Sequence, residues 1–212
     1  MFLYFLFFLL LFSYATVSVN ATEEKYVIFI DPGHGGMDGG CSYEDLIEKN
    51  VNLNIGLKLR DVLEEKGYEV KMTRSADIHL CVDKFSKKED LNTRIQMINQ
   101  SNADLFISIH TNSFTNPKYF GAQVFYNNFL DNNTFIATRI QKYLSLYTET
   151  TRVAKGLKNV MILREIKKPG CLIECGFISN PKEYSLLQED AHLAKLVNSM
   201  VYGIDDYFLS FV

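Results

Sequence analysis

Tyr26-Val-Ile-Phe-Ile-Asp-Pro-Gly-His-Gly-Gly36 is the stretch from which the rest of this chain is read. Tyr26 to Ile30 is a short apolar run, the pattern of a buried β-strand. Pro32, Gly33, Gly35 and Gly36 then end it abruptly. Proline fixes one backbone angle, and glycine admits conformations that other residues avoid. His34 therefore stands at a strand-end turn, where an α/β protein places a metal ligand or a catalytic base. Taken alone, an ordinary turn containing a histidine explains the segment equally well. Asp104-Leu-Phe-Ile-Ser-Ile-His110, followed by Thr111 and Asn112, breaks the tie. Two apolar strands far apart in sequence each end in histidine, and imidazole is a common zinc ligand.

Around these strands the pattern alternates. Val51, Ile55, Leu59, Val62 and Leu63 recur at helical spacing and predict a helix from Glu48 to about Lys66, with Gly67 as its natural stop. Tyr68–Thr73 reads as a strand and Ser75–Lys88 as a charged, irregular loop. Leu91, Ile95 and Ile98 mark a short helix. Phe120–Tyr126 reads as a looser edge strand, Ile136 to Tyr147 as a helix, and Val160–Leu163 and Cys171–Gly176 as further strands. Asn180, Pro181 and Glu183 predict a capping box at the start of a short helix. Leu193, Leu196, Val197, Met200, Val201 and Ile204 give the last helix. Strands alternating with helices predict an α/β fold: one domain, residues 26–212, with a mostly parallel twisted sheet of about six strands and helices on both faces.

Length and composition agree with one domain. The chain has 212 residues, 47% of them hydrophobic, and only 4 prolines, so no proline-rich linker divides it. A net charge of −3 argues against nucleic acid as a partner, because that role needs a basic face. Residues 1–21 are a different material. Met1 to Thr22 carries no Asp, Glu, Lys or Arg, and Phe2 to Phe12 is almost unbroken Phe, Leu and Tyr. That run is shorter than the ~20 residues of a comfortable membrane span and fits the apolar core of a secretory signal peptide. Val19-Asn20-Ala21 offers a cleavage site. If it is retained, the segment is an N-terminal membrane anchor. Either way the domain is exported. Of the four cysteines, Cys171 and Cys175 lie four apart on one face of a strand, too distant to bond, and the set reads as free thiols acting as small core residues.

A zinc hydrolase needs a third ligand and a proton carrier, and the chain offers 25 acidic residues for them. Glu48 opens the first helix just past the His34 loop. It can fold back toward the histidines or merely complement the helix dipole. Glu174 lies in Leu-Ile-Glu-Cys-Gly-Phe, an apolar strand where an unpaired charge is costly. It is either half of a buried ion pair or a general base whose pKa burial has raised. Asp38 and Asn112 are candidates for orienting the histidines or for ordinary turn residues. Arg94 reads as a structural ion pair. His79 and His192 read as solvent-facing.

Together, several segments carry a resemblance. Asp31-Pro-Gly-His-Gly-Gly-Met-Asp-Gly39, Glu48-Lys-Asn-Val-Asn-Leu, Thr73-Arg74, Arg94, Ser108-Ile-His-Thr-Asn112 and Glu174-Cys-Gly-Phe-Ile-Ser-Asn-Pro181 come in the order of the zinc-dependent N-acetylmuramoyl-L-alanine amidases, and the chain resembles that family. The resemblance implies zinc held by His34, Glu48 and His110, Glu174 as the catalytic carboxylate, and peptidoglycan as the substrate. It also implies hydrolysis of the bond between N-acetylmuramic acid and L-alanine. The lack of wall-binding repeats resembles the germination-specific branch, which acts in spore cortex maturation. That branch would place the domain at the cell wall or spore cortex, with a protein partner or activator at the spore envelope as a further expectation. An exported, non-catalytic peptidoglycan-binding module is the alternative.

Overall fold

The strand read at Tyr26–Ile30 runs from Val27 to Pro32 (β1) and is buried at every position. The computed structural model describes residues 25–211, so the apolar leader lies outside the described residues. After β1 come a small hairpin, β2 (Ser42–Tyr43) and β3 (Leu46–Ile47), then α1 (Glu48–Glu65), β4 (Glu69–Met72), α2 (Lys87–Gln100) and β5 (Leu105–Asn112). The second half contributes β6 (Gln123–Tyr126), α3 (Asp131–Tyr147), β7 (Lys155–Gly156), α4 (Met161–Glu165), β8 (Gly170–Phe177), α5 (Pro181–Leu186) and α6 (Asp190–Phe208).

Six strands form one sheet in the order β4-β1-β5-β8-β6-β7. β4, β1, β5 and β8 are mutually parallel, and β6 runs antiparallel to β8. β1, β5 and β8 are covered on both faces, which is why their sequences read as near-continuous apolar runs. On one face, α1, α3 and α6 bury Ile55, Leu59, Ile140, Leu196 and Ile204 against Ile28, Ile107 and Ile173. On the other, α2 and α4 bury Ile95, Ile98 and Ile162 against Phe29, Phe106 and Leu172. The predicted α/β sheet with helices on both faces is the observed fold.

Three local expectations are corrected. Val160–Leu163 is not a strand: Met161–Glu165 is one helical turn, and Ile162, Leu163 and Ile166 turn their apolar side chains into the second core cluster. A four-residue apolar run carries no periodicity that separates the two conformations. Phe120–Tyr126 shortens to Gln123–Tyr126 and is not the outermost strand, since the two-residue β7 pairs beyond it. The capping box at α5 is incomplete. Asn180 caps the amides of Lys182 and Glu183, but the Glu183 carboxylate turns away to accept from the amides of Gly121 and Phe177.

Register places the chemistry. His110 lies opposite Glu174 across β5 and β8, and Glu174 lies opposite Gln123 across β8 and β6. Residues in register share a face, so these three side chains form a row across adjacent strands. The row sits at the carboxyl ends of β1, β5 and β8, the edge of an open α/β sheet where ligands bind.

Candidate metal centre

His34 follows directly on β1, and its backbone is held in a conformation that side chains seldom adopt, φ +62°. A non-glycine residue there is strained by roughly 1–2 kcal/mol. Two buried arginines hold it. Arg94 donates to the carbonyls of Pro32 (2.9 Å) and His34 (2.6 Å), and Arg74 donates to those of Pro32 (2.9 Å) and Gly33 (3.0 Å). Arg94 in turn pairs with Asp31 at 2.8 Å and Asp90 at 2.7 Å. Asp31 is fully buried and also accepts from Thr73 and Ser108, at 2.7 and 2.8 Å. Burial alone would push the Asp31 carboxyl up, but Arg94 and the two hydroxyls hold it below the usual carboxylate range. Arg94 is thus the structural ion pair read from sequence. Asp31, Thr73 and Arg74 complete its network.

Three donor groups converge above this floor. His34, Glu48 and His110 each offer one ligand atom, and these atoms lie within 4.8 Å of one another. Glu48 Oε1 stands 3.2 Å from His34 Nε2 and 3.1 Å from His110 Nδ1. The two imidazoles meet edge to face, with centroids 5.1 Å apart. Glu48 reaches them because α1 begins at that residue, its amide bonding the Cys41 carbonyl. Its carboxylate is further held by the amides of Thr111 (3.2 Å) and Cys41 (2.9 Å) and by Asn52 (3.3 Å). Burial raises the Glu48 carboxyl, but His110 and His34 outweigh it and hold the group far below the usual carboxylate range. Burial lowers His34, but Glu48 and Asp38 reverse this, leaving its pKa above the ordinary imidazole value. Room for the rings comes from missing side chains. A Cβ on Gly33 would lie 2.2 Å from His110 Cε1, and one on Gly40 would lie 2.4 Å from Glu48 Oε2.

The other residues singled out from sequence fall on both sides of the outcome. Asp38 accepts from His34 Nδ1 at 2.8 Å and from Lys87 at 2.9 Å. If Nδ1 carries the proton, Nε2 is left free to coordinate. Asn112 does not touch either histidine. Its side-chain oxygen accepts from the Ser113 amide, a local turn contact. His79 is half-buried against Phe85, and its Nδ1 is buried without a partner; His192 is also half-buried. Both are therefore less open to solvent than expected: His79 stacks on Phe85, and His192 lines a cavity beside α6. The four cysteines are unpaired. Asn52, which links Glu48, Gly33 and Thr111, was missed from sequence, although its i+4 spacing from Glu48 puts it on the same helix face.

Glu174 stands beside this group with no hydrogen bond to its buried Oε2. Burial, the largest influence, raises its carboxyl to about 7, with nearby Glu48 adding to the effect and the histidines opposing it. A cleft of about 270 Å³ opens next to the triad, lined by His34, His110, Lys87, Leu91, Met161 and Leu172. A separate cavity of about 360 Å³ near Cys175 and His192 includes none of the triad. Two imidazoles and a carboxylate converging beside a second carboxyl of near-neutral pKa form a set suited to metal-assisted hydrolysis.

Residues 28–206 match the family model described as N-acetylmuramoyl-L-alanine amidase. The chain belongs to the N-acetylmuramoyl-L-alanine amidase family. It is 42% identical over 188 residues to a germination-specific N-acetylmuramoyl-L-alanine amidase of Bacillus subtilis, covering 86% of this chain and 79% of that one. Its fold is similar to that of the CwlD amidase of Clostridioides difficile, solved in complex with the GerS lipoprotein. There the TM-score is 0.84 and the identity 34%, over 88% of this chain and all of that one. The catalytic domain of the amidase CwlV from Paenibacillus polymyxa superposes with a TM-score of 0.77 at 28% identity, over 86% of this chain and 98% of that one. This amidase therefore acts on peptidoglycan, which places its work outside the cytoplasmic membrane. Among the described residues no helix is long and apolar enough to cross a membrane.

Proposed function

We propose that the amidase is zinc-dependent, that His34, Glu48 and His110 hold the ion, and that Glu174 moves the protons of the reaction. The observation that carries this reading is the convergence of one donor atom from each of the three residues within 4.8 Å of one another. Two neutral imidazoles and one carboxylate are a donor set of hydrolytic zinc, with a fourth position open. The space kept by Gly33 and Gly40 lets the rings and carboxylate point at one spot. Zinc in this place supplies Lewis acidity, which brings water's ionisation toward neutral pH and favours negative charge on a carbonyl oxygen.

The chain's own groups do the rest. Asp38 fixes the tautomer and tilt of His34. Glu174, with its carboxyl raised to about 7, accepts a proton from the attacking water near neutrality. It returns that proton to the nitrogen of L-alanine as the bond to the lactyl carbonyl of N-acetylmuramic acid breaks. Without the proton an amine is a poor leaving group. The products are a free lactyl carboxylate and a free peptide amino terminus.

We further propose that residues 1–21 export the domain spanning 26–212, as a cleaved signal or a retained anchor. The enzyme then strips peptides from cortex muramic acid so that muramic-δ-lactam can form. The similarity to a germination-specific amidase supports this role, and the complex of CwlD with a lipoprotein supports a protein partner at the spore envelope. The test digests purified spore and vegetative sacculi with the protein, with chelator and after zinc is restored. The expected result is zinc-dependent release of L-alanine amino termini, with mass spectra showing intact lactyl groups. Products cut between two amino acids would overturn the reading.

A further inference from the structure

Six arginines occur in the sequence, and five have an evident structural use. Arg60, Arg94, Arg139 and Arg164 each lie within 4.0 Å of a carboxylate. Arg74 is buried and spent on backbone carbonyls. Arg152, on the loop just before β7, has no carboxylate within that distance among the described residues, although it reaches solvent. Its guanidinium is nonetheless held still. Nε donates to the Phe120 carbonyl at 2.7 Å, Nη1 donates to Gln123 Oε1 at 3.0 Å, and the group lies 4.7 Å over the Phe177 ring. Glu183, whose carboxyl feels the Arg152 charge, has its oxygens engaged by the amides of Gly121 and Phe177.

The position of this unmatched cation matters. Gln123, which holds it, is the strand neighbour of Glu174, about 4.8 Å away across the sheet. The order across the edge is therefore His110, Glu174, Gln123 and then Arg152. A preorganised guanidinium with free N–H groups is built to take a carboxylate. We propose that Arg152 binds the stem peptide of the substrate through a free carboxylate on its second residue, the α-carboxylate left when D-glutamate is linked through its side chain. That carboxylate lies about two residues, roughly 7 Å, from the scissile amide, so its partner belongs a short way along the sheet edge from Glu174, the side on which Gln123 holds Arg152. The proposal rests on the reading of Glu174 and the triad as the place of cleavage.

The test compares two soluble muropeptides that differ at one group, γ-linked D-glutamate or its α-amide D-isoglutamine. For the zinc-loaded wild type, kcat/KM for the carboxylate form should exceed that for the amide roughly 10- to 100-fold, the usual weight of a hydrogen bond to a charged group. Arg152→Met should abolish the preference by slowing only the carboxylate substrate, and Arg152→Lys should restore part of it. Equal rates in the wild type, or a loss of the same size on both substrates in Arg152→Met, would overturn the proposal. Calorimetric titration of the zinc-loaded Glu174→Gln variant with the two C-terminally amidated tripeptides L-Ala-γ-D-Glu-L-Lys and L-Ala-γ-D-isoGln-L-Lys, in which the γ-carboxyl is used in the link to lysine, gives an independent arm. There the carboxylate form should bind more tightly, and equal binding would refute the Arg152 role. If the wild type cleaves neither muropeptide, the amidase reading fails instead, and the titration still decides the carboxylate site.

Discussion

His34 and Glu174 stand close to one another at the ends of β1 and β8, yet their surroundings have little in common. Around His34 the polar groups are tied down. Two arginines hold the carbonyls of residues 32–34, Asp31 anchors one of those arginines, and Asp38 holds the ring. Glu48 and His110 share this bracing. Around Glu174 there is none: its Oε2 is buried with no hydrogen-bond partner among the described residues, and the residues flanking it along β8, Ile173 and Cys175, are apolar. The difference suits the roles proposed for the two groups. A ligand set must keep its atoms at fixed separations, and hydrogen bonds from buried groups supply that rigidity. A proton carrier must be close in energy in its two protonation states, and unmatched burial brings a carboxyl there.

The comparison breaks most decisively at the braced side. His34→Ala or His110→Ala should abolish zinc binding and activity together, read by metal content of the dialysed protein and by release of amino termini. The unbraced side should separate the two. Glu174→Gln should keep stoichiometric zinc and lose activity about 10²- to 10⁴-fold, the range of a positioned general acid–base. Loss of zinc in that variant would place Glu174 among the ligands.

Beneath the braced wall, Arg94→Met leaves Asp31 as an unpaired buried charge. It should destabilise the protein by about 3–5 kcal/mol in denaturant unfolding and weaken zinc binding in competition with a chelator. A variant of unchanged stability would remove the network from its supporting role.

The pH dependence sharpens the contrast. Glu174 is raised from 4.5 to about 7 in the folded state, so between those values the folded protein holds the proton and the unfolded chain does not. Stability of the metal-free protein should therefore be highest below about 4.5 with respect to this group and fall as pH rises through 7. Glu174→Gln removes that loss, so the metal-free variant should be the more stable at pH 8, by at most about 3 kcal/mol, and the gap should close toward pH 4.5. The smallest effect is expected from Asp38→Asn. It keeps the shape but weakens the hold on His34 Nδ1, and should lower zinc affinity about 10- to 100-fold.

Legibility from sequence followed the range of the interactions. The strands ending at His34 and His110 stood out because an apolar run stopped by Pro and Gly is a local signal. Glu174 stood out because a charge inside Leu-Ile-Glu-Cys-Gly-Phe has no local excuse. Val160–Leu163 was misread because four apolar residues carry no period, and Glu183 because its partner amides come from Gly121, a residue far along the chain, and Phe177, in the preceding strand. Arg152 looks like any other surface cation until its partners are known, and Arg74 stood out only as part of the family pattern, with no hint that it holds backbone carbonyls.

By itself, then, the sequence determined the alternating architecture, the two strand-end histidines and the acids worth watching, since all of these rest on composition and spacing along the chain. Only the tertiary structure decided that His34, Glu48 and His110 meet, that Asp38 and not Asn112 holds a histidine, and that Arg152 has no carboxylate beside it among the described residues. Those facts depend on strand order and register, which bring together residues up to 76 positions apart in the triad (34 to 110) and which no local pattern encodes.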